Sequence, residues 1–253
     1  MPTAAVIIIG NEILSGRTRD LNLPFLGKRL AELGIQLLEA RVIPDLEQKI
    51  IATVQEFSKV FDYVFTTGGI GPTHDDITTA SVAAAFEVEV LRNPEAVRML
   101  EQYYDDKHAV NNARLKMADI PAGAKLIMNP VSAAPGFQLH NVFVLPGVPL
   151  IMQAMFEGIV DQLAGGDPIL TESITTNLRE STIAEGLGRI QDLFTGVSIG
   201  SYPFFRGGRL GVNVVLRSTD MDLLQQACEK VSDLVSELGG RQYNLPPDPD
   251  TGN

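Results

Sequence analysis

Cysteine, histidine and tryptophan are scarce in this chain: one, three and none among 253 residues. With Cys228 alone, an internal disulfide and a cysteine-based metal cluster are excluded. That residue shares a helical stripe with Leu224, Val231 and Val235, which marks a buried structural thiol rather than a nucleophile. His74, His108 and His140 are scattered without ligand spacing, which argues against a histidine zinc site. His108 in a polar stretch and His140 before Asn141 at a hairpin-like turn read as surface residues. Positive charge is short too: 20 Lys and Arg stand against 31 Asp and Glu, a formal net charge of −11. No basic cluster exceeds Lys28-Arg29, so a broad nucleic-acid face is not expected. No apolar run approaches the ~20 residues of a membrane span. Met1-Pro2-Thr3-Ala4 has no basic region ahead of its short apolar stretch, so neither membrane nor secretion signal is expected and the expected compartment is the cytoplasm.

What is present is concentrated at residues 64–78, Val-Phe-Thr-Thr-Gly-Gly-Ile-Gly-Pro-Thr-His-Asp-Asp-Ile-Thr. An apolar strand runs into a glycine-rich turn that ends on two adjacent carboxylates. Gly68, Gly69 and Gly71, with Pro72, Thr73 and His74, let the backbone come close to a ligand. The helix start that follows offers N–H groups to an anion such as phosphate. Glycines at strand-to-helix turns also serve packing, but packing does not account for Asp75 next to Asp76. Carboxylates beside a phosphate cradle repel the ligand unless a divalent cation bridges the two. The turn is not a P-loop, because no Gly-Lys-Ser/Thr follows and no lysine lies within it. It points instead to a metal-assisted nucleotide site.

The remaining pattern alternates strands and helices. Ala4 to Ile9 reads as a strand buried on both faces. A helix follows that Asn22 can cap, with Leu23, Leu26, Leu30 and Leu33 on one face and Gly34 at its end. Ile35 to Ile43 reads as a strand, Leu46 to Phe57 as a helix, Phe61 to Thr66 as a strand and Ile77 to Phe86 as a helix. Residues 94–118 hold more helix with little apolar content and read as a mobile flap. Lys125 to Met128 and Phe137 to Val144 read as strands, one of them antiparallel, before a helix from Pro149 to Leu163. This order implies a doubly wound, mostly parallel, three-layer α/β/α sheet. Gly165-Gly166-Asp167-Pro168 is the clearest linker. The expected division is 1–166, a small α+β subdomain at 167–245, and a disordered tail at 246–253. In the subdomain, Arg206-Gly207-Gly208-Arg209 reads as a hairpin tip joining two strands.

In such a sheet, loops at the carboxyl ends of neighbouring strands share one crevice. Those holding Glu12, Asp45, Asp75, Asp76, Pro146 and Gly147 all follow expected strands. Asp76 is expected to hold a divalent metal, with Asp75 or Glu12 positioning it or an attacking water. Magnesium, manganese and cobalt are the candidate ions, and hydrolysis or transfer at a pyrophosphate linkage is the expected chemistry.

The stretch from Thr66 to Thr78 resembles the signature loop of the MoaB/Mog molybdopterin-binding domain family, in its CinA-like form. Gly10-Asn11-Glu12-Ile13-Leu14-Ser15-Gly16 with Asp20 and Asn22 resembles the family's first loop. Asn129-Pro130, Ala134-Pro135-Gly136-Phe137 and Leu145-Pro146-Gly147-Val148-Pro149 resemble its later motifs. The resemblance implies substrate contacts at Asn22, Asn129, Pro135, Gly136, Pro146 and Gly147. It also implies self-association as a dimer or trimer, and metal-dependent hydrolysis of diphosphates such as ADP-ribose or FAD to release AMP. The alternatives it leaves are a molybdopterin adenylyltransferase using Mg-ATP and a module that binds nucleotide or pterin without turnover. Asp75-Asp76 is similar to the CinA branch, since the Mog branch typically has a basic residue in place of the first aspartate. Two departures stand out. Ile151 occupies a position where many members have an acid, and Ser132-Ala133 replaces a Gly-Thr pair.

Overall fold

The computed structural model describes residues 1–104, 111–206 and 208–243, without the side chain of Arg206. The readings made for His108, for Gly207 in its turn and for the tail at 246–253 lie outside the described residues. Two compact units divide the chain, Met1–Gly166 and Asp167–Asn253.

The first unit runs β1 (Thr3–Ile9), α1 (Asn11–Leu14), α2 (Asn22–Glu32), β2 (Gln36–Ile43), α3 (Glu47–Val60), β3 (Tyr63–Thr67), α4 (Thr78–Ala85), β4 (Val90–Arg92), α5 (Pro94–Tyr103), α6 (Asn112–Lys116), β5 (Asp119–Pro121), β6 (Lys125–Ile127), β7 (Gly136–Leu139), β8 (Val142–Leu145) and α7 (Pro149–Glu157). Six strands form one sheet in the order β2-β1-β3-β8-β7-β6. The pairs β1–β2, β1–β3 and β3–β8 are parallel. β7 alone runs against its neighbours β8 and β6.

β1 is apolar throughout because both faces are covered, as crossover helices require of a parallel strand. Ala5, Ile7 and Ile9 face a core shared with Ile50, Val54 and Phe57 of α3, Val82 of α4 and Leu100 of α5. Ala4, Val6 and Ile8 face a second core with Leu26 and Leu30 of α2 and Met152, Met155 and Phe156 of α7. In that layer the Phe65 ring stacks on Phe143 at 5.2 Å and meets Phe156 edge-on at 5.5 Å.

Three readings need correction. Asn22 does not cap α2: Asp20 Oδ1 takes the Leu23 N–H at 2.8 Å, while Asn22 is buried and turned toward another loop. The segment 137–144 is two strands joined at the expected His140-Asn141 turn rather than one strand, with His140 in the left-handed region at φ 52° and exposed in that turn. Asn141 braces it by donating to Ser58 O and Phe61 O at 3.0 and 2.8 Å. The polar stretch is no free flap where it is described, since Ala96 and Leu100 of α5 are fully buried. A short antiparallel ribbon, β4 with β5, brackets it, and too few residues pair there for alternation to reveal the strands.

The second unit holds β9 (Leu170–Thr176), α8 (Glu180–Leu193), β10 (Ser198–Arg206), β11 (Arg209–Ser218) and α9 (Met221–Glu237). Its antiparallel sheet has the order β10-β11-β9 and packs on both helices through Ile183, Leu187, Val214, Leu216, Val231 and Val235. Cys228 is half-buried against this core, and burial, with Glu172 nearby, raises its thiol pKa. No helix among the described residues is long and apolar enough to cross a membrane.

The Phe65 contacts give a direct test of the first core. Phe65→Ala is expected to lower stability by about 3–5 kcal/mol, read from urea denaturation followed by circular dichroism. An unchanged midpoint would contradict the packing.

Candidate functional site

Parallel order places the carboxyl ends of β2, β1, β3 and β8 side by side, and the loops leaving them interlock. After β1, Gly10 N–H donates to Ile43 O at the end of β2. Asp45, just beyond β2, accepts the Asn11 N–H through Oδ2 at 2.8 Å, so this acid secures the start of α1. Glu12 lies half-buried on α1, its carboxylate folded against Gly10.

β3 delivers the glycine loop. Gly68 has φ 101°, and a Cβ there would sit 2.2 Å from Ile9 O, so only glycine lets β3 and β1 end this close together. On the other side, Gly68 N–H donates to Leu145 O at 3.1 Å at the end of β8. A Cβ on Gly147 would lie 3.4 Å from Gly68 Cα. Asn22 completes this contact by donating from Nδ2 to Gly147 O at 2.9 Å, which ties α2 to the loop after β8 and the half-buried Pro146. The loop closes onto α4 through Thr78, whose N–H and hydroxyl reach Gly69 O at 2.9 Å and Gly68 O at 3.0 Å.

The acid pair is organised by Thr73. Its N–H donates to Asp76 Oδ2 at 2.8 Å, and its hydroxyl reaches the same oxygen. Asp76 thereby folds back over Gly71, where a Cβ would stand 2.7 Å from Oδ2. Asp75 is exposed, and its carboxyl is held below the ordinary value of 3.8, first by the Thr73 hydroxyl. Its own backbone N–H, His74 and Lys116 act in the same direction. Pro72 and His74 are exposed on the loop.

The antiparallel β7 brings the later motifs to this same end of the sheet, because Gly136 pairs with Ile127 at the end of β6 and Phe137 with Val144 on β8. Pro135 and Gly136 are buried there. Asn129 spends both halves of its amide on its own loop: Nδ2 donates to Ser132 Oγ and Ala134 O, and Oδ1 accepts from Val131 and Ser132 N–H. Its amide thereby builds the loop. Ile151 is half-buried among the apolar residues around α7.

Among the described residues, no group of three or more His, Cys, Asp or Glu side chains is arranged to hold a metal ion. Glu12, Asp75 and Asp76 therefore form no ready-made cage. A hard cation of the magnesium type does not need one, since it is commonly held by one or two carboxylates together with phosphate oxygens of the ligand. An ionised, exposed Asp75 beside Asp76 fits that role.

Sequence reasoning missed Lys116. Its ammonium, at the end of α6, donates to Thr73 O across 43 residues of sequence. Nothing in the local pattern marks it, since a lysine on a short polar helix has the look of an ordinary solvated residue.

Residues 5–165 match the family model described as "Probable molybdopterin binding domain", and residues 168–239 match "FAD synthase, middle domain". A "CinA-like protein" of Desulfosudis oleivorans is 33% identical over 92% of this chain and 60% of its own length. A "Probable FAD synthase" of Caenorhabditis elegans is 32% identical over 92% of this chain and 50% of its own. This chain thus spans only about half to three-fifths of those two relatives. The solved structure of a CinA protein from Thermoplasma acidophilum, described as of unknown function, is 35% identical, with a TM-score of 0.59 over 63% of this chain and 98% of that one.

Thr73→Val removes the hydroxyl that reaches Asp76 and lowers the Asp75 pKa. The Asp75 pKa is expected to rise toward 3.8 in the variant, measured by carbon NMR of its carboxyl. Because the folded pKa is depressed, the linked stabilisation is complete above the unfolded value and is lost as pH falls through the folded one. An Asp75 that titrates identically in both proteins would refute the contact.

Proposed function

This chain belongs to the molybdopterin-binding domain family, in the CinA-like form followed by an FAD synthase middle domain; from that premise we propose that it is a metal-dependent pyrophosphatase acting on nucleotide diphosphates. ADP-ribose or FAD is the proposed substrate type and AMP the proposed product. One observation carries this reading: two adjacent acids, with Asp76 pinned by Thr73, stand at the tip of a glycine loop that packs against the ends of β1 and β8. Packing requires the glycine at Gly68, but nothing in the packing requires two carboxylates at the loop's tip. A further support lies at the base of the loop. Thr66 Oγ1, Thr67 Oγ1 and Asn22 Oδ1 are buried without a hydrogen-bond partner among the described residues, an uncommon state for buried polar atoms.

In this reading the glycine loop and the loop at Gly147 border the diphosphate, with Asn22 fixing the Gly147 carbonyl. Asp75 and Asp76 hold the divalent cation, which when bound polarises a phosphoryl group and lowers the pKa of water. Thr73 keeps Asp76 oriented and favours the ionised form of Asp75. Glu12, from the adjoining strand end, is the carboxylate proposed to orient the attacking water. The water oxygen ends on phosphorus, the bridging P–O bond breaks, and two monophosphates leave.

AMP release from ADP-ribose or FAD, followed by chromatography with magnesium, manganese or cobalt, is the expected result. Asp76→Ala is expected to reduce turnover by about a hundredfold or more with an unchanged circular dichroism spectrum. Tight nucleotide or pterin binding by calorimetry without AMP under any metal would replace the enzyme reading with a binding module. Self-association belongs to the same proposal: β2 is an edge strand and exposes Leu38 and Val42. Light scattering is expected to show a dimer or trimer, and a monomeric mass would contradict it.

A further inference from the structure

The loop from Gly68 to Thr78 carries two carboxylates and no Lys or Arg, in a chain of net charge −11. A diphosphate brought to that loop meets negative charge on the protein before any cation has bound. The tertiary structure supplies one compensating group from elsewhere. Lys116 donates to Thr73 O, while the N–H and hydroxyl of the same threonine donate to Asp76. Thr73 therefore joins the ammonium to the acid pair through its own polar groups. Asp75 registers the proximity, since Lys116 is among the groups that favour its ionised form.

We propose that Lys116 is the specificity-determining cation of the glycine loop, tethered to the Thr73 carbonyl so that its ammonium faces the diphosphate of the incoming nucleotide. The inference deepens the pyrophosphatase reading and rests on it for the nucleotide. Two features favour this role over simple bracing. An ammonium has more donors than its one bond to Thr73 O uses. Among the described residues no carboxylate lies within ion-pair distance of it, unlike Arg29, Arg41 and Arg92, which are each paired with acids, so Asp75 feels its charge only through space. The base of the side chain is also well rooted. α6 leads straight into β5, Ala118 is fully buried between them, and Asn93 N–H donates to Ala118 O at 2.8 Å. A cation held on such a base loses little freedom when an anion arrives.

The discriminating variant is Lys116→Gln, which keeps a donor for Thr73 O and removes the charge. Calorimetric titration with inorganic pyrophosphate, at one fixed magnesium concentration throughout, is expected to show binding to the unaltered protein and about tenfold weaker binding to Lys116→Gln and Lys116→Met, as for loss of a charge-assisted hydrogen bond. Lys116→Arg is expected to restore most of the affinity. The affinity of the unaltered protein should also fall more steeply with added salt than that of the glutamine variant. Melting temperatures are expected to match, because the side chain is only half-buried. Equal pyrophosphate affinity for the glutamine variant, or no pyrophosphate binding by the unaltered protein, overturns the proposal even if AMP is released with metal. Lys116-dependent pyrophosphate binding without any AMP release leaves the proposal standing and sinks the enzyme reading alone.

Discussion

Thr73 uses every polar group it has on its neighbours, and the geometry of the glycine loop follows from that. Its N–H and hydroxyl fold Asp76 back across Gly71, its hydroxyl lowers the Asp75 pKa, and its carbonyl receives Lys116. Adjacent carboxylates on an exposed turn would otherwise repel each other and sample many rotamers. Here local hydrogen bonds offset part of that repulsion and present the acids as a defined pair.

The pair is useful only because of what stands beside it. Parallel pairing of β2, β1, β3 and β8 brings four loops to one edge of the sheet. Backbone contact at Gly68, against Ile9 on one side and Leu145 on the other, makes those loops one surface. Asp45 and Asn22 then act as ties, the first to Asn11 N–H and the second to Gly147 O. Antiparallel β7 adds the loop that Asn129 organises, since reversing the chain there returns it to the same edge.

Much of this was legible in the linear chain. β1 announces itself by a continuous apolar run, and α2 and α3 by leucine, isoleucine and phenylalanine at helical spacing, because burial on two faces or on one stripe leaves those periods in the residue order. The glycine loop was equally plain. Other features were not. β4 and β5 are too short to show alternation. The hairpin-like His140-Asn141 pair could be read, but the apolar residues around it could equally belong to one strand, so the division into β7 and β8 could not. Asn22 was ambiguous for a different reason, since a carboxamide at a helix start suits a cap, and only the nearby Asp20 and the distant Gly147 carbonyl decide between the roles.

By itself, then, the order of residues determined the layered α/β architecture and the existence of an acidic glycine turn, because both depend on neighbours within a few positions. The tertiary structure decided which side chains meet at that turn. Lys116 reaches Thr73 over 43 residues, and Asn22 reaches Gly147 over 125. Such partnerships are set by how strands line up and how far a side chain extends from its backbone, quantities that leave no periodic trace along the chain.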